Sequence, residues 1–231
     1  MDTIEKTPRK LSALLRVFRS YFGSAVIGLI LIFVISSSIR WQAFAEYQKE
    51  ELIARKIIDA GGIAARSGML PTGWNSLYPF RSTRPIVLIH LDHCKNPSGL
   101  IEDINKLRHL EELYLTNSDV ADADLKHLRG LNKLESLSLY GTQVSDAGLE
   151  ILRELTRLHQ LNLSHTQISD AGLEHLKGMS ISELDLGATV VTEVGLEHLK
   201  GMPELKRLSF SVTPDNKGEV QKSLPCCTIS P

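Results

Sequence analysis

Aromatic residues make up only 6% of this 231-residue chain, and it has three cysteines. Three cysteines cannot supply a disulfide framework, and a bridge between the adjacent Cys226 and Cys227 would be strained. An excess of either charge is also missing: 26 Lys and Arg stand against 27 Asp and Glu. Five bases and two acids fall in the first twenty residues, so the remainder carries about −4. That is the wrong sign for a sequence-blind nucleic-acid binder, and no nucleic-acid partner is expected. Neither G-x-G-x-x-G, nor a P-loop, nor G-x-S-x-G occurs. Ser, His and Asp are plentiful, but no spacing sets them out as a triad. The chain reads as a non-enzyme with no catalytic residues and no cofactor. His90, Asp92, His93 and Cys94 are metal-ligand types, but no second cluster accompanies them. They read as polar residues of a first strand, and no metal is expected.

What the chain has instead is a 24-residue period running from about Ile86 to Thr213. Leu110-Glu-Glu-Leu113-Tyr114-Leu115 recurs as Leu134-Asn-Lys-Leu137-Ser138-Leu139 and as Leu158-His-Gln-Leu161-Asn162-Leu163. Gln143-Val-Ser-Asp-Ala-Gly-Leu149 recurs as Gln167-Ile-Ser-Asp-Ala-Gly-Leu173. A fixed period of this length predicts a solenoid, because each unit covers its apolar face only by stacking on neighbours. Strand alternation turns Leu137, Leu139 and Leu161 inward and Ser136, Ser138 and Tyr140 outward. Ser118, Thr142, Thr166, Thr189 and Thr213 are placed to hydrogen-bond backbone as the chain leaves the sheet. Ser145, Ser169 and Thr192 have the chemistry of helix N-caps. Leu149, Leu152 and Leu155, like Leu173, Leu176 and Met179, form helical stripes. His127, His175 and His198 recur at a solvated ridge position.

The L-x-x-L-x-L-x-x-T-x-V/I spacing resembles the leucine-rich-repeat superfamily. Thr166-Gln-Ile-Ser-Asp-Ala-Gly-Leu-Glu-His-Leu-Lys-Gly178 is similar to the T-x-I-T-D-A-G-L-x-H-L units of uncharacterised bacterial membrane-anchored leucine-rich-repeat proteins. Leu224-Pro-Cys-Cys-Thr-Ile229 looks like the L-P-N-C-x-I ending of the same proteins, with Cys226 in place of Asn. The resemblance implies an α/β fold: a solenoid of about six parallel strands on the concave face, with short helices on the convex face. Strands are expected near 89–91, 113–115, 137–139, 161–163, 184–186 and 208–210. The repeat part of ubiquitin-ligase adaptors is also built of strand–helix units, but here a hydrophobic run stands where their recruiting domain would be.

Tyr21–Ile39 is uncharged, and 19 helical residues reach about 28 Å, close to a hydrocarbon core of about 30 Å. Five bases precede it, so the positive-inside rule leaves the N-terminus cytoplasmic and the repeats extracytoplasmic. Cleavage after Ala43-Phe44-Ala45, giving a secreted protein, is the alternative. The expected organisation is a basic tail (1–20), a transmembrane anchor (21–39), a juxtamembrane helix (40–62), a turn-rich cap or linker (63–84), repeats (85–212) and a C-terminal cap (213–231). In the juxtamembrane helix Ile53, Ile57 and Ala60 share a stripe, Glu51 faces Arg55, and Gly61-Gly62 ends the helix. Pro71, Trp74, Tyr78, Pro79 and Phe80 supply the cap with turns and aromatic area.

A repeat surface without catalytic chemistry points to recognition of a protein partner. The structural alternative is a spacer or self-associating envelope component. Candidate contacts on the concave face are His90, Glu112, Tyr114, Tyr140, Asn162 and Arg207, with Tyr114 and Tyr140 as paired aromatic anchors.

Overall fold

The computed structural model describes residues 24–66, 85–95, 97–211, 221, 224 and 228–230, with side chains from residue 41 onward except at 201, 229 and 230. Two compact units divide the chain after Gln48. Helix α1, Ser24–Asp59, is the first element and carries residues of both. In the first unit, Trp41 and Phe44 lie one turn apart on its exposed surface, ring edge to ring face with centroids 6.3 Å apart. Among the described residues no helix is long and apolar enough to cross a membrane. The run expected to do so, Tyr21–Ile39, lies outside the residues whose side chains are described. So do the aromatic segment 67–84, Thr213, and Cys226 and Cys227.

In the second unit the parallel strands are β2 (Ile86–His90), β3 (Glu112–Tyr114), β4 (Ser136–Ser138), β5 (Gln160–Asn162), β6 (Glu183–Asp185), β7 (Arg207–Ser209) and β8 (Thr228–Ser230). β1, Ile63–Arg66, joins the same sheet antiparallel to β2. The expected count of about six is therefore corrected to eight, seven of them parallel. The repeat period could not find β1, which lies outside the repeats, or β8, which follows a shortened last unit. In register, Ile89, Leu113, Leu137, Leu161, Leu184, Leu208 and Ile229 stack as one column. All those described are at most 2% exposed, and each buried leucine is worth about 1.5–3 kcal/mol over an exposed one.

The end of α1 caps the first repeat. Ile53 and Ile57 enter the core, whereas Ala60 is exposed. Gly61 takes the left-handed conformation (φ +83°) that ends the helix, and Gly62 passes so close to β2 that a Cβ would stand 2.5 Å from the His90 carbonyl oxygen. Arg66 bridges Glu50 and Glu51 at 3.3 and 3.2 Å, and Glu51 also meets Arg55 at 3.8 Å. Lys56 reaches Asp103 on α2 (Ser98–Ile104) at 2.5 Å, beside Lys106 at 2.6 Å. The hydrogen bonds from Lys106 and Lys56 hold the Asp103 carboxyl below the usual aspartate range.

Convex segments pass from α-helix to 3-10 helix along the solenoid. α3 (Asp122–Leu125) runs into a 3-10 turn, α4 (Asp146–Leu152) is α-helical, and Gly172–Leu176 and Gly195–Gly201 are 3-10 throughout. Their leucines are buried as expected, but His127, His175 and His198 are half-buried rather than fully solvated.

Of the expected N-caps, Thr192 accepts the Val194 N–H at 3.2 Å, but Ser145 and Ser169 do something else. Ser145 stands at the start of α4, but its side chain caps nothing in its own helix. Its N–H and hydroxyl donate to Asp122 of the preceding unit at 2.8 and 2.6 Å. Ser169 repeats this on Asp146 at 2.8 and 2.5 Å, and Thr192 on Asp170, both at 2.7 Å. The third member of the motif is steric. A Cβ on Gly148, Gly172 or Gly195 would lie 2.5, 2.1 or 2.3 Å from the same aspartate's Oδ1. Ser-Asp-Ala-Gly is thus a staircase: the aspartate of one unit holds the Ser or Thr of the next, and only glycine leaves it room. Donation to a charged acceptor orients the hydroxyl toward the neighbouring unit, and at Ser145 and Ser169 its oxygen takes no N–H from its own helix.

Candidate concave binding face

Strands β2 to β6 each leave the sheet through one residue in the left-handed conformation: His93, Asn117, Gly141, His165 and Ala188, with φ of 57°, 51°, 66°, 56° and 52°. The next hydroxyl secures the turn. Ser118, Thr142, Thr166 and Thr189 donate to the carbonyls of Leu115, Leu139, Leu163 and Leu186 at 2.5, 2.7, 2.5 and 2.8 Å. Cys94 occupies the same position in the first unit. Burial pushes its thiol up, and Asp119 adds to the shift. His90, Asp92, His93 and Cys94 therefore part company, with the thiol in the core and His90 Nδ1 3.8 Å from Asp92 Oδ2.

With the turns fixed, His90, Tyr114, Ser138, Asn162, Asp185 and Ser209 form one row across the concave face. The His90 and Tyr114 rings stack with centroids 4.3 Å apart and planes 7° apart. The Tyr114 hydroxyl donates to Glu112 Oε2 at 2.9 Å. Burial raises the Tyr114 phenol, a hydrogen bond from Ser136 opposes this, and Glu112 reinforces it. Beyond Tyr114 the face opens into a depression of about 340 Å³, walled by Tyr114, Gln160, Asn162, Asp185, Glu183 and Arg207. Ser136 and Ser138, also part of its lining, are buried, not exposed as strand alternation alone suggests. Glu183 accepts from Arg207 and, at 3.4 Å, from Gln160. Asn162 Oδ1 accepts from the Ser164 N–H at 2.9 Å, and Asp185 Oδ1 from the Gly187 N–H at 3.0 Å.

Of the residues singled out from the sequence, Tyr114, Asn162 and Arg207 line this depression, and His90 and Glu112 brace Tyr114. Tyr140 does not join them. Its ring packs on His165, centroids 4.9 Å apart and tilted 56°, so the two tyrosines lean toward opposite neighbours and form no pair. The expectation of paired anchors is corrected on that point. Sequence reasoning favoured aromatics and passed over Asp185, Ser138 and Gln160, which lie in the same rows. The in-register repeats were the signal for them. Among the described residues no three His, Cys, Asp or Glu side chains gather as a metal site.

The Leucine Rich repeat family model matches residues 155–177. That is one unit of the solenoid. No curated protein matches the chain. Solved structures with similar folds include an LRR protein of Leptospira interrogans, at 21% identity and a TM-score of 0.41 over 55% of this chain and 38% of that one. An internalin, inlF, of Listeria monocytogenes aligns at 19% identity and a TM-score of 0.43 over 69% and 58%. Internalin C2 of the same organism aligns at 20% and 0.40 over 72% and 93%. The chain thus spans about two-fifths and three-fifths of the first two. The architecture is a mostly parallel sheet backed by short helices, and one of its units matches the leucine-rich-repeat model.

Proposed function

We propose that this protein is a recognition module that holds a protein partner against the concave face of its repeats. The observation that carries the reading is the depression beside the stacked His90–Tyr114 pair. An amphipathic ring braced on both sides, next to small serines, amides and carboxylates, is the composition of an interface anchor with an adaptable polar surround. The test uses detergent-solubilised full-length protein and membrane and envelope extract from its own host. Tyr114→Ala should weaken capture of a stoichiometric partner at least tenfold while leaving the melting temperature within a few degrees. Undiminished capture by the folded variant would remove the concave face from the reading, and self-association alone would favour an envelope spacer.

We further propose that Tyr21–Ile39 anchors the chain in the cytoplasmic membrane, with the N-terminus inside and the repeats outside. The uncharged length and the bases ahead of it support this. Protease added to intact spheroplasts should digest the repeats and spare a tag at residue 1. The opposite pattern would reverse the orientation, and a soluble product beginning near Glu46 would replace the anchor with a cleaved signal.

A further inference from the structure

Because β2 to β8 are parallel, every connection into a strand lies along one edge of the solenoid and every connection out of a strand along the other. The charges sort with them. The outgoing segments 92–98, 116–122, 140–146, 164–170 and 187–193 hold six acidic residues and one basic. The incoming segments 105–111, 129–135, 153–159, 177–182 and 200–206 hold nine basic residues and four acidic.

The acidic edge has an internal explanation: Asp122, Asp146 and Asp170 are occupied by the hydroxyls and N–H groups of the next unit. The basic edge has none of that kind. Three of its nine bases find a carboxylate: Lys106 with Asp103, Arg129 with Glu154, and Lys200 with Glu197. Lys133 meets His109 at 3.0 Å, itself a base. Arg108, Arg153, Arg157, Lys177 and Lys206 are exposed and make no ion pair among the described residues. Helix dipoles account for part of the pattern, since Arg129, Arg153 and Lys177 directly follow the convex segments and Lys200 lies in the last turn of its own. They do not reach the second column, His109, Lys133 and Arg157, which starts four residues further on, because the dipole effect fades within the last turn. Arg129–Glu154 and Lys133–His109 tie adjacent units together, whereas Arg153, Arg157 and Lys177 stand on neighbouring units with no carboxylate partner among the described residues, and like charges so placed repel.

We propose that this edge binds a linear polyphosphate chain. Columns running along the solenoid, with about 5 Å between units on the strand side, present cations at intervals that a chain of closely spaced anions can follow. Arg supplies planar forks for phosphate oxygens and Lys supplies point charges. The site is separate from the concave face, so it stands or falls independently of the recognition reading.

The probe is inorganic polyphosphate, titrated into the detergent-solubilised full chain at several salt concentrations. Binding should weaken steeply with salt, as release of counterions requires. The triple variant Arg153→Ser, Arg157→Ser, Lys177→Ser alters only exposed side chains and should keep its melting temperature. It should bind at least tenfold more weakly, with a shallower salt dependence, whereas Tyr114→Ala should bind like the parent. No binding by the parent at low salt would overturn the proposal. So would unchanged affinity of the triple variant, which would place the polymer on the basic tail of residues 1–20. Displacement by a short-chain anionic phospholipid at equal phosphate concentration, where orthophosphate fails, would also overturn it, in favour of a headgroup site.

Discussion

Removing Asp146 and crowding Gly172 should be less damaging together than their separate costs imply. In the folded protein Asp146 receives the Ser169 N–H at 2.8 Å and the Ser169 hydroxyl at 2.5 Å. Hydrogen bonds to a charged group are worth about 1.5–3 kcal/mol each, but both partners are half-buried, so water restores part of the loss. Asp146→Ala is therefore expected to cost about 2–3 kcal/mol. Gly172→Ala brings a methyl group to within 2.1 Å of Asp146 Oδ1, 2.8 Å of its Cγ and 3.2 Å of its Cβ. The carboxylate must swing away, so this change carries an overpacking cost of about 1–3 kcal/mol and also disturbs the same pair of hydrogen bonds. In the double variant the carboxylate is gone, and the new methyl group meets only the Cβ at a tight but tolerable distance. The hydrogen bonds cannot be lost twice. The double-mutant cycle should accordingly show a coupling of about 1–2 kcal/mol, measured by urea unfolding of the three variants and the parent. In thermal melts a change of 1 kcal/mol corresponds to roughly 2–4 °C for a unit of this size. Strict additivity would refute the staircase and return Ser169 to the ordinary role of a helix cap.

Cys94→Thr should stabilise the first repeat by up to about 1 kcal/mol, because threonine at this position in later units donates to a strand carbonyl that the thiol leaves unserved; a lower unfolding midpoint would count against the equivalence. The folded pKa of Asp103 lies below its unfolded value, so its contribution is present above the ordinary aspartate pKa of about 3.9 and disappears as pH falls through the folded value. The stability difference between the parent and Asp103→Asn should therefore be constant at neutral pH and shrink in acid; a difference that grows on acidification would reverse the assignment.

How far the sequence reaches depends on whether the governing interaction lies within one unit or between two. Leu113, Leu137 and Leu161 were legible as a core column because strand alternation and a 24-residue period are local facts repeated in register. The hydroxyls of Thr142 and Thr166 were legible for the same reason: the carbonyl they serve is three residues back in their own unit. Ser145 and Ser169 misled because their bonds run to a carboxylate of the unit before, which their own unit does not encode. The same holds on the concave face. The outward position of Tyr114 and Tyr140 follows from alternation, but which way each ring leans is decided by His90 on one neighbouring strand and His165 beyond the other. Ser136 and Ser138 are buried, a property their own strand does not encode. What a solenoid displays is therefore set by pairs of adjacent units. The candidate site is one such product: Tyr114 comes from one unit, Asn162 from two units on and Asp185 from the next, and the period brings them into a single row.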